Sequence, residues 1–305
     1  MKVAVAQIAP VLLDRDATLA KVVASVGDAA AQGASLVCFG ESLVPAYPLW
    51  LSRTGAARFE AADQKVLHAL YLREAVVVDE HLGPVCKAAR DGSIAVVLGV
   101  AERAGHSIHC SRVFISSEGE VLSVHRKLVP THEERLAWAH GDGHGLVTHA
   151  VGQFTVGALN CWENWMPLAR QALYEQGEDL HVMLWPGCLR LTHDITPFVA
   201  KESRSFVVSS CGIIRASDIP STVPYRDRMV GEEDVFYDGG SAIAAPDGSW
   251  VVEPVVGREE LIVADVDYDM VLQERQNFDP AGHYSRPDVL KVVVERGRRR
   301  GLEFQ

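Results

Sequence analysis

Residues 158–170 read ALNCWENWMPLAR. The apolar run FTVGAL (154–159) leads in with the composition of a buried strand, and PLARQALYEQG (167–177) leads out as a helix. Pro167 near its first turn and Gly177 at its stop frame that helix. The stretch is a strand–turn–helix unit with Cys161 at the turn. Strands that feed helices imply an α/β fold in layers, where sites collect at the carboxyl ends of strands.

The same alternation recurs outward. KVAVAQI (2–8) reads as a buried strand, followed by a helix with Leu19, Val22, Val23 and Val26 on one face and Gly33 at its end. SLVCFGE (35–41) is a second strand ending on Glu41, and SLVPAYPLWL (42–51) is a proline-broken aromatic loop. One helical stretch is expected from about Ala56 to Arg90, then a strand in SIAVVLGVAE (93–102). SRVFISSEGEVLSVHRK (111–127) is two strands around Glu118-Gly119. LHVMLWPG (180–187), a helix near 196–204, SFVVSSCGII (205–214) and LIVADVD (261–267) continue the pattern. SAIAAPDGSWVVEPV (241–255) is a hairpin on Pro246-Asp247-Gly248. VFISSEGEVL (113–122) and AIAAPDGSWVV (242–252) look like counterparts, a hint of internal duplication. No Gly-, Pro- or Ser-rich linker divides the chain, so one catalytic α/β domain over 1–290 is expected, with 291–305 as a basic C-terminal tail.

The net charge of −11 argues against a nucleic-acid or acidic-membrane partner. The one basic block, ERGRRRG (295–301), reads as a solvated or oligomer-contact tail. Six scattered cysteines without a CxxC pair, no signal-peptide pattern and no apolar run approaching about 18 residues point to a cytoplasmic protein with free thiols.

A free cysteine has a pKa of about 8.5 and attacks only as thiolate, so Cys161 needs help near neutrality. The positive end of the following helix is one source, a carboxylate base such as Glu41 a second, and a cation such as Lys127 a third. On its own context Cys161 reads equally well as a small buried hydrophobe. Glu41, at the end of LVCFG, is expected to be partly buried and so to have a partner or a task.

Four blocks in order, FGES (39–42), HRKLVPTHEERLAWAHGDG (125–143), CWENWMPLAR (161–170) and GHYSRPD (282–288), resemble the signatures of the nitrilase family of carbon-nitrogen hydrolases. The resemblance implies a four-layer α-β-β-α sandwich that associates into dimers and larger helical assemblies, with no cofactor and no metal. It implies Glu41 as general base, Lys127 as cationic stabiliser, Cys161 as nucleophile and Glu134 as a further glutamate beside the nucleophile. The implied reaction takes a small organic nitrile to the carboxylic acid and ammonia through a thioimidate and a thioester. An amidase or carbamoylase, or a cyanide-hydrating enzyme, is the alternative on the same residues. Trp162 and Glu163 after the cysteine favour the nitrilase branch. Ala139 and Ala46 stand where the family has glycine, which bears on pocket shape. Tyr47, His132, Trp162 and Trp185 are the candidate pocket wall. Five histidines between His125 and His149 invite a metal, but HEERL misses HExxH at Leu136 and no zinc-type spacing accompanies it.

Overall fold

The computed structural model of the protein describes residues 1–232 and 235–298. Its strands are β1 (Lys2–Gln7), β2 (Leu36–Phe39), β3 (Ala95–Ala104), β4 (Ser107–Ile115), β5 (Val121–Arg126), β6 (His149–Val151), β7 (Phe154–Asn160), β8 (Leu180–Trp185), β9 (Phe206–Cys211), β10 (Ile213–Arg215), β11 (Val235–Ala244), β12 (Trp250–Val256) and β13 (Glu260–Asp265). They form two mixed sheets: β13-β1-β2-β3-β4-β5, and β10-β11-β9-β8-β7-β6 with β12 also on β11.

The period-2 pattern of the strands decides what lies on each face. In β1, Val3 and Val5 join Cys38, Val97, Val156, Val182 and Val208 in a core between the two sheets. Ala4 and Ala6 point the other way, into a core with Leu19, Val22 and Val26 of the helix Arg15–Ala31 and Val85 and Ala89 of the helix Gly83–Gly92. On the far side of the second sheet, Met183, Trp185 and Val207 meet Ile195, Val199 and Ala200 of the helix Ile195–Ser203. The layers are therefore helix, sheet, sheet, helix, the expected α-β-β-α sandwich.

The two sheets share one pattern of pairing. Antiparallel β13–β1 is followed by parallel β1–β2 and β2–β3, then antiparallel β3–β4 and β4–β5. Antiparallel β6–β7 is followed by parallel β7–β8 and β8–β9, then antiparallel β9–β11 and β11–β12. The two similar hairpin sequences occupy matching places, β4–β5 and β11–β12.

One expectation is corrected. The helical stretch 56–90 is broken into Ala62–Glu74, Val78–His81 and Gly83–Gly92. Ala75 is extended, and Val76 bonds to β3 through Ala101 O and Arg103 N, each at 2.7 Å, a role that suits the β-branched run Val76-Val77-Val78. Pro84 then restarts the helix in its first turn. Residues 291–295 and Gly297 line a groove of about 630 Å³ with Leu128, Met166 and Leu168. Arg298 ends this docked run, with Nη1 3.0 Å from Asp142 Oδ1 and Nη2 donating to Val124 O at 2.9 Å. The rest of the basic block, from Arg299 on, lies outside the described residues.

Candidate active site

Glu41 lies two residues past the end of β2, where the chain touches the other sheet. Its N–H donates to Trp185 O at 3.0 Å, at the end of β8. The loop after it is tied to β3 by Val44 N–H to Gly99 O at 3.3 Å and Ala101 N–H to Val44 O at 2.8 Å. A Cβ on Gly99 would stand 2.1 Å from Gly40 O and 2.8 Å from Glu41 Cα, so only glycine lets this loop pass so close.

Lys127 follows β5 directly, and its N–H donates to Cys110 O at 2.8 Å. Its Nζ lies 2.8 Å from Glu41 Oε1 and 2.7 Å from Glu134 Oε2. Glu134 stands on the 3₁₀ turn His132–Leu136, where Thr131 N–H donates to its Oε2 at 2.6 Å. Tyr47 Oη donates to its other oxygen at 3.1 Å. Cys161 Sγ and one carboxylate oxygen from each of Glu41 and Glu134 lie within 4.8 Å of one another. All four groups are withdrawn from solvent: Glu41 is 2% exposed, Lys127 1%, Glu134 2% and Cys161 3%. The structure thus brings together Glu41, Lys127, Glu134, Cys161 and Tyr47.

The helix read over 167–177 does not extend back to Cys161. Cys161–Trp165 is a short 3₁₀ turn, and the α-helix starts at Pro167. Cys161 itself has φ +49°, a left-handed conformation uncommon for a side chain with a Cβ. The help to the thiolate that the end of a helix was expected to give comes instead from one local backbone N–H, that of Trp162, which pulls the Cys161 thiol down against its rise. Asn164 steadies the turn, donating from Nδ2 to Cys161 O at 2.8 Å, while its Oδ1 lies 2.8 Å from His181 Nε2.

Charge in this closed site follows from burial and neighbours. Burial pushes the Glu41 carboxyl up to about 7, with the Lys127 ammonium opposing the rise. Burial opposes the Lys127 charge too, but the negative charge that Cys161, Glu41 and Glu134 can carry outweighs it, and the amine sits well above its ordinary value. Burial and then the Glu41 charge push the Cys161 thiol well up, against the pull of Lys127. The resting sulfur is therefore a thiol beside a carboxylate able to take its proton. The three metal-type groups converge here, yet Lys127 already holds an oxygen of each carboxylate, in the place a cation would take.

Of the other three residues named for the pocket wall, two are exposed and one is buried against Cys161. His132 is exposed, with Nδ1 2.6 Å from Glu133 Oε2. The Trp162 ring is exposed, 6.3 Å from that of Trp165. Trp185 is fully buried in one apolar cluster with Cys161, and its Nε1 donates to Ser209 Oγ at 3.3 Å. Other residues surround the site instead. Trp138 and Tyr237 pack edge-on against Tyr47 with centroids 5.6 and 5.4 Å away, and Lys127 Nζ lies 5.6 Å from the Trp138 ring centroid. Cys110 Sγ donates to Glu41 Oε1 at 3.3 Å. Trp138 falls within a quoted block and was open to discovery; Tyr237 and Cys110 carry no local signal.

Comparison with known proteins agrees with this layout. The carbon-nitrogen hydrolase family model matches residues 2–276. An aliphatic nitrilase of Rhodococcus rhodochrous is 33% identical over 97% of this chain and 79% of its own length. An arylacetonitrilase of Aspergillus niger is 34% identical over 98% and 93%, and a nitrilase of Pseudomonas syringae 35% over 96% and 89%. Among solved structures, an amidase from Nesterenkonia sp. AN1 superposes with a TM-score of 0.65 over 91% of this chain and 97% of that one, at 19% identity, a likeness of fold. By its sequence match, its sandwich and its buried Glu–Lys–Cys cluster, this chain belongs to the carbon-nitrogen hydrolase family.

Proposed function

We propose that the chain is a nitrilase, hydrolysing a small organic nitrile to the carboxylic acid and ammonia. The observation that carries the reading is one buried ammonium, Lys127 Nζ, between Glu41 and Glu134 beside the Cys161 thiol. A nitrile carbon is a weak electrophile, and a thiol adds to it only if the nitrogen is stabilised as it gains charge.

Glu41 takes the Cys161 proton as the sulfur bonds to the nitrile carbon and one C–N π bond moves onto nitrogen. The proton passes to that nitrogen, giving a thioimidate. Lys127 and the Trp162 N–H face the developing charge. Water, deprotonated by Glu41, adds to the carbon; the C–N bond breaks as nitrogen takes protons and leaves as ammonia. The thioester that remains is opened by a second water, which releases the acid and returns the proton to sulfur. Two waters are consumed per nitrile. Glu134, fixed by Thr131 and Tyr47, orients Lys127.

The nitrilases at 33–35% identity over nearly the whole chain support nitrile over amide as substrate. The test is a panel of nitriles and amides read for ammonia and for acid. Ammonia from nitriles supports the reading; ammonia from amides alone makes the chain an amidase. Cys161→Ala should abolish turnover, and substantial turnover surviving it would sink the reading.

The same reading takes 1–290 as the catalytic unit, a cytoplasmic setting for its six free thiols, and self-association into dimers and larger helical assemblies. Two features are compatible with these parts: among the described residues no helix is long and apolar enough to cross a membrane, and Trp165, exposed, stacks on exposed Phe198 at 6.3 Å. Trp165→Glu should lower the mass seen in sedimentation if that face joins copies.

A further inference from the structure

Cys110 on β4 touches two of the three central residues at once. Its carbonyl holds the Lys127 N–H at 2.8 Å, and its thiol donates to Glu41 Oε1 at 3.3 Å. That same oxygen also receives Lys127 Nζ at 2.8 Å. The other oxygen of Glu41, Oε2, is buried and has no hydrogen-bond partner. The two oxygens of one carboxylate are therefore unequal: one is doubly committed, and one is free in a site where a free acceptor is costly.

We infer that Cys110 is a positioning residue for the base, its thiol turning the Glu41 carboxylate so that Oε2 is the oxygen left to take the Cys161 proton. Lys127 alone cannot fix this orientation, because an ammonium is a point charge on a flexible stem and accepts many carboxylate angles. A second donor on the same oxygen removes that freedom. The two cysteines of the site then differ in task. Burial and the neighbouring Glu41 charge keep the Cys110 proton on sulfur, which is what a donor requires. The Cys161 thiol gives its proton up. Donation to the carboxylate also favours its charged form and offsets part of the rise that burial causes.

The inference rests on the reading of Glu41 as base, and its test is separable from the substrate. In the full-length chain, Cys110→Ala and Cys110→Ser are compared with the parent by kcat/KM for a hydrolysed nitrile across pH. The rate of Cys161 alkylation by iodoacetamide is followed over the same range, read on the Cys161 peptide by mass spectrometry. Without the donor, the acid limb of both profiles should move to higher pH by roughly half a pH unit or more. Serine, which keeps an O–H in place, should restore the limb. Loss of packing alone would lower rates at every pH and leave the limb where it was. An alanine limb that coincides with the parent, or a serine limb that moves with alanine, overturns the assignment. If no nitrile is turned over, the hydrolytic reading fails by itself, and the alkylation profile still decides the role of Cys110. Should alanine not fold, Cys110→Val, close in volume and without a donor, carries the same prediction.

Discussion

The carboxylate of Glu163 accepts the backbone N–H of Leu128 at 2.6 Å. Its other oxygen accepts the N–H of Asn160 at 3.0 Å, and His125 Nε2 lies 3.0 and 3.1 Å from the two. Leu128 follows Lys127 and Asn160 precedes Cys161, so one buried side chain ties the Lys127 segment to the Cys161 turn. Burial pushes the Glu163 carboxyl up, but the His125 ring and the two N–H groups outweigh it and hold it below its usual range.

Glu163→Gln keeps the shape and loses one acceptor, so an N–H of Leu128 or Asn160 faces an amide NH₂. A buried donor left without an acceptor costs about 1–3 kcal/mol. The expected result is a lower unfolding midpoint in denaturant and a fall in kcat, with alkylation of Cys161 still possible. An unchanged midpoint together with unchanged kcat would show that Glu163 does not join the two segments.

Gly99 and Gly27 predict opposite signs for one substitution. Alanine at Gly99 places a methyl 2.1 Å from Gly40 O and 2.7 Å from Ser42 N, both main-chain atoms, so the Glu41 loop must move. Displacement of a catalytic group by about 1 Å costs on the order of 10²-fold in rate. Gly99→Ala should therefore lose activity by that order and melt earlier. Gly27, exposed in the helix Arg15–Ala31, has nothing within 4 Å of a Cβ. Gly27→Ala should stabilise by about 0.5–1 kcal/mol and leave kcat/KM unchanged. Equal effects at the two positions would contradict the close approach at Gly99.

The strand and layer pattern was legible because it is local: Val3 and Val5 against Ala4 and Ala6 announce two buried faces before any partner is known. Glu41 and Cys161 were legible as residues at or just past strand ends. The shape of the turn at Cys161 was not, since no glycine marks its positive φ. That conformation is held by Asn164 and Glu163, and by His181 beyond them. Cys110 and Tyr237 were invisible for a related reason. Their approach to Glu41 and Tyr47 exists only once distant strands pair, and neither sits in a motif. His132 and the Trp162 ring face solvent because proximity in sequence to a site residue says nothing about which way a side chain turns.

The raised carboxyl of Glu41 sets the pH behaviour. As the proposed general base, Glu41 would work deprotonated, so activity should rise with pH through about 7 and fall away below it. The linkage has the opposite slope. Because the folded chain raises this carboxyl from 4.5 to about 7, its contribution to stability is present below 4.5 and is lost as pH rises through 7. Glu41→Gln should flatten the stability profile between these values and abolish turnover. An acid limb that persists near pH 5, or a stability slope unaltered in Glu41→Gln, would remove Glu41 as the raised group.

Lys127→Met asks what one ammonium does between two carboxylates. Removing it leaves Glu41 and Glu134 buried side by side with their shared counter-ion gone, and such a break costs about 3–5 kcal/mol. The site can answer only by protonating a carboxyl, so the loss of stability should be largest above pH 7 and smaller at pH 5. Glu134→Gln in the Lys127→Met background takes away one of the two charges and should recover part of the stability while leaving the chain inactive. Chemical denaturation at the two pH values, with ammonia release measured in parallel, separates these effects. Full stability in Lys127→Met at high pH would mean that the two glutamates do not depend on Lys127, and the proposed role of that lysine would fall with it.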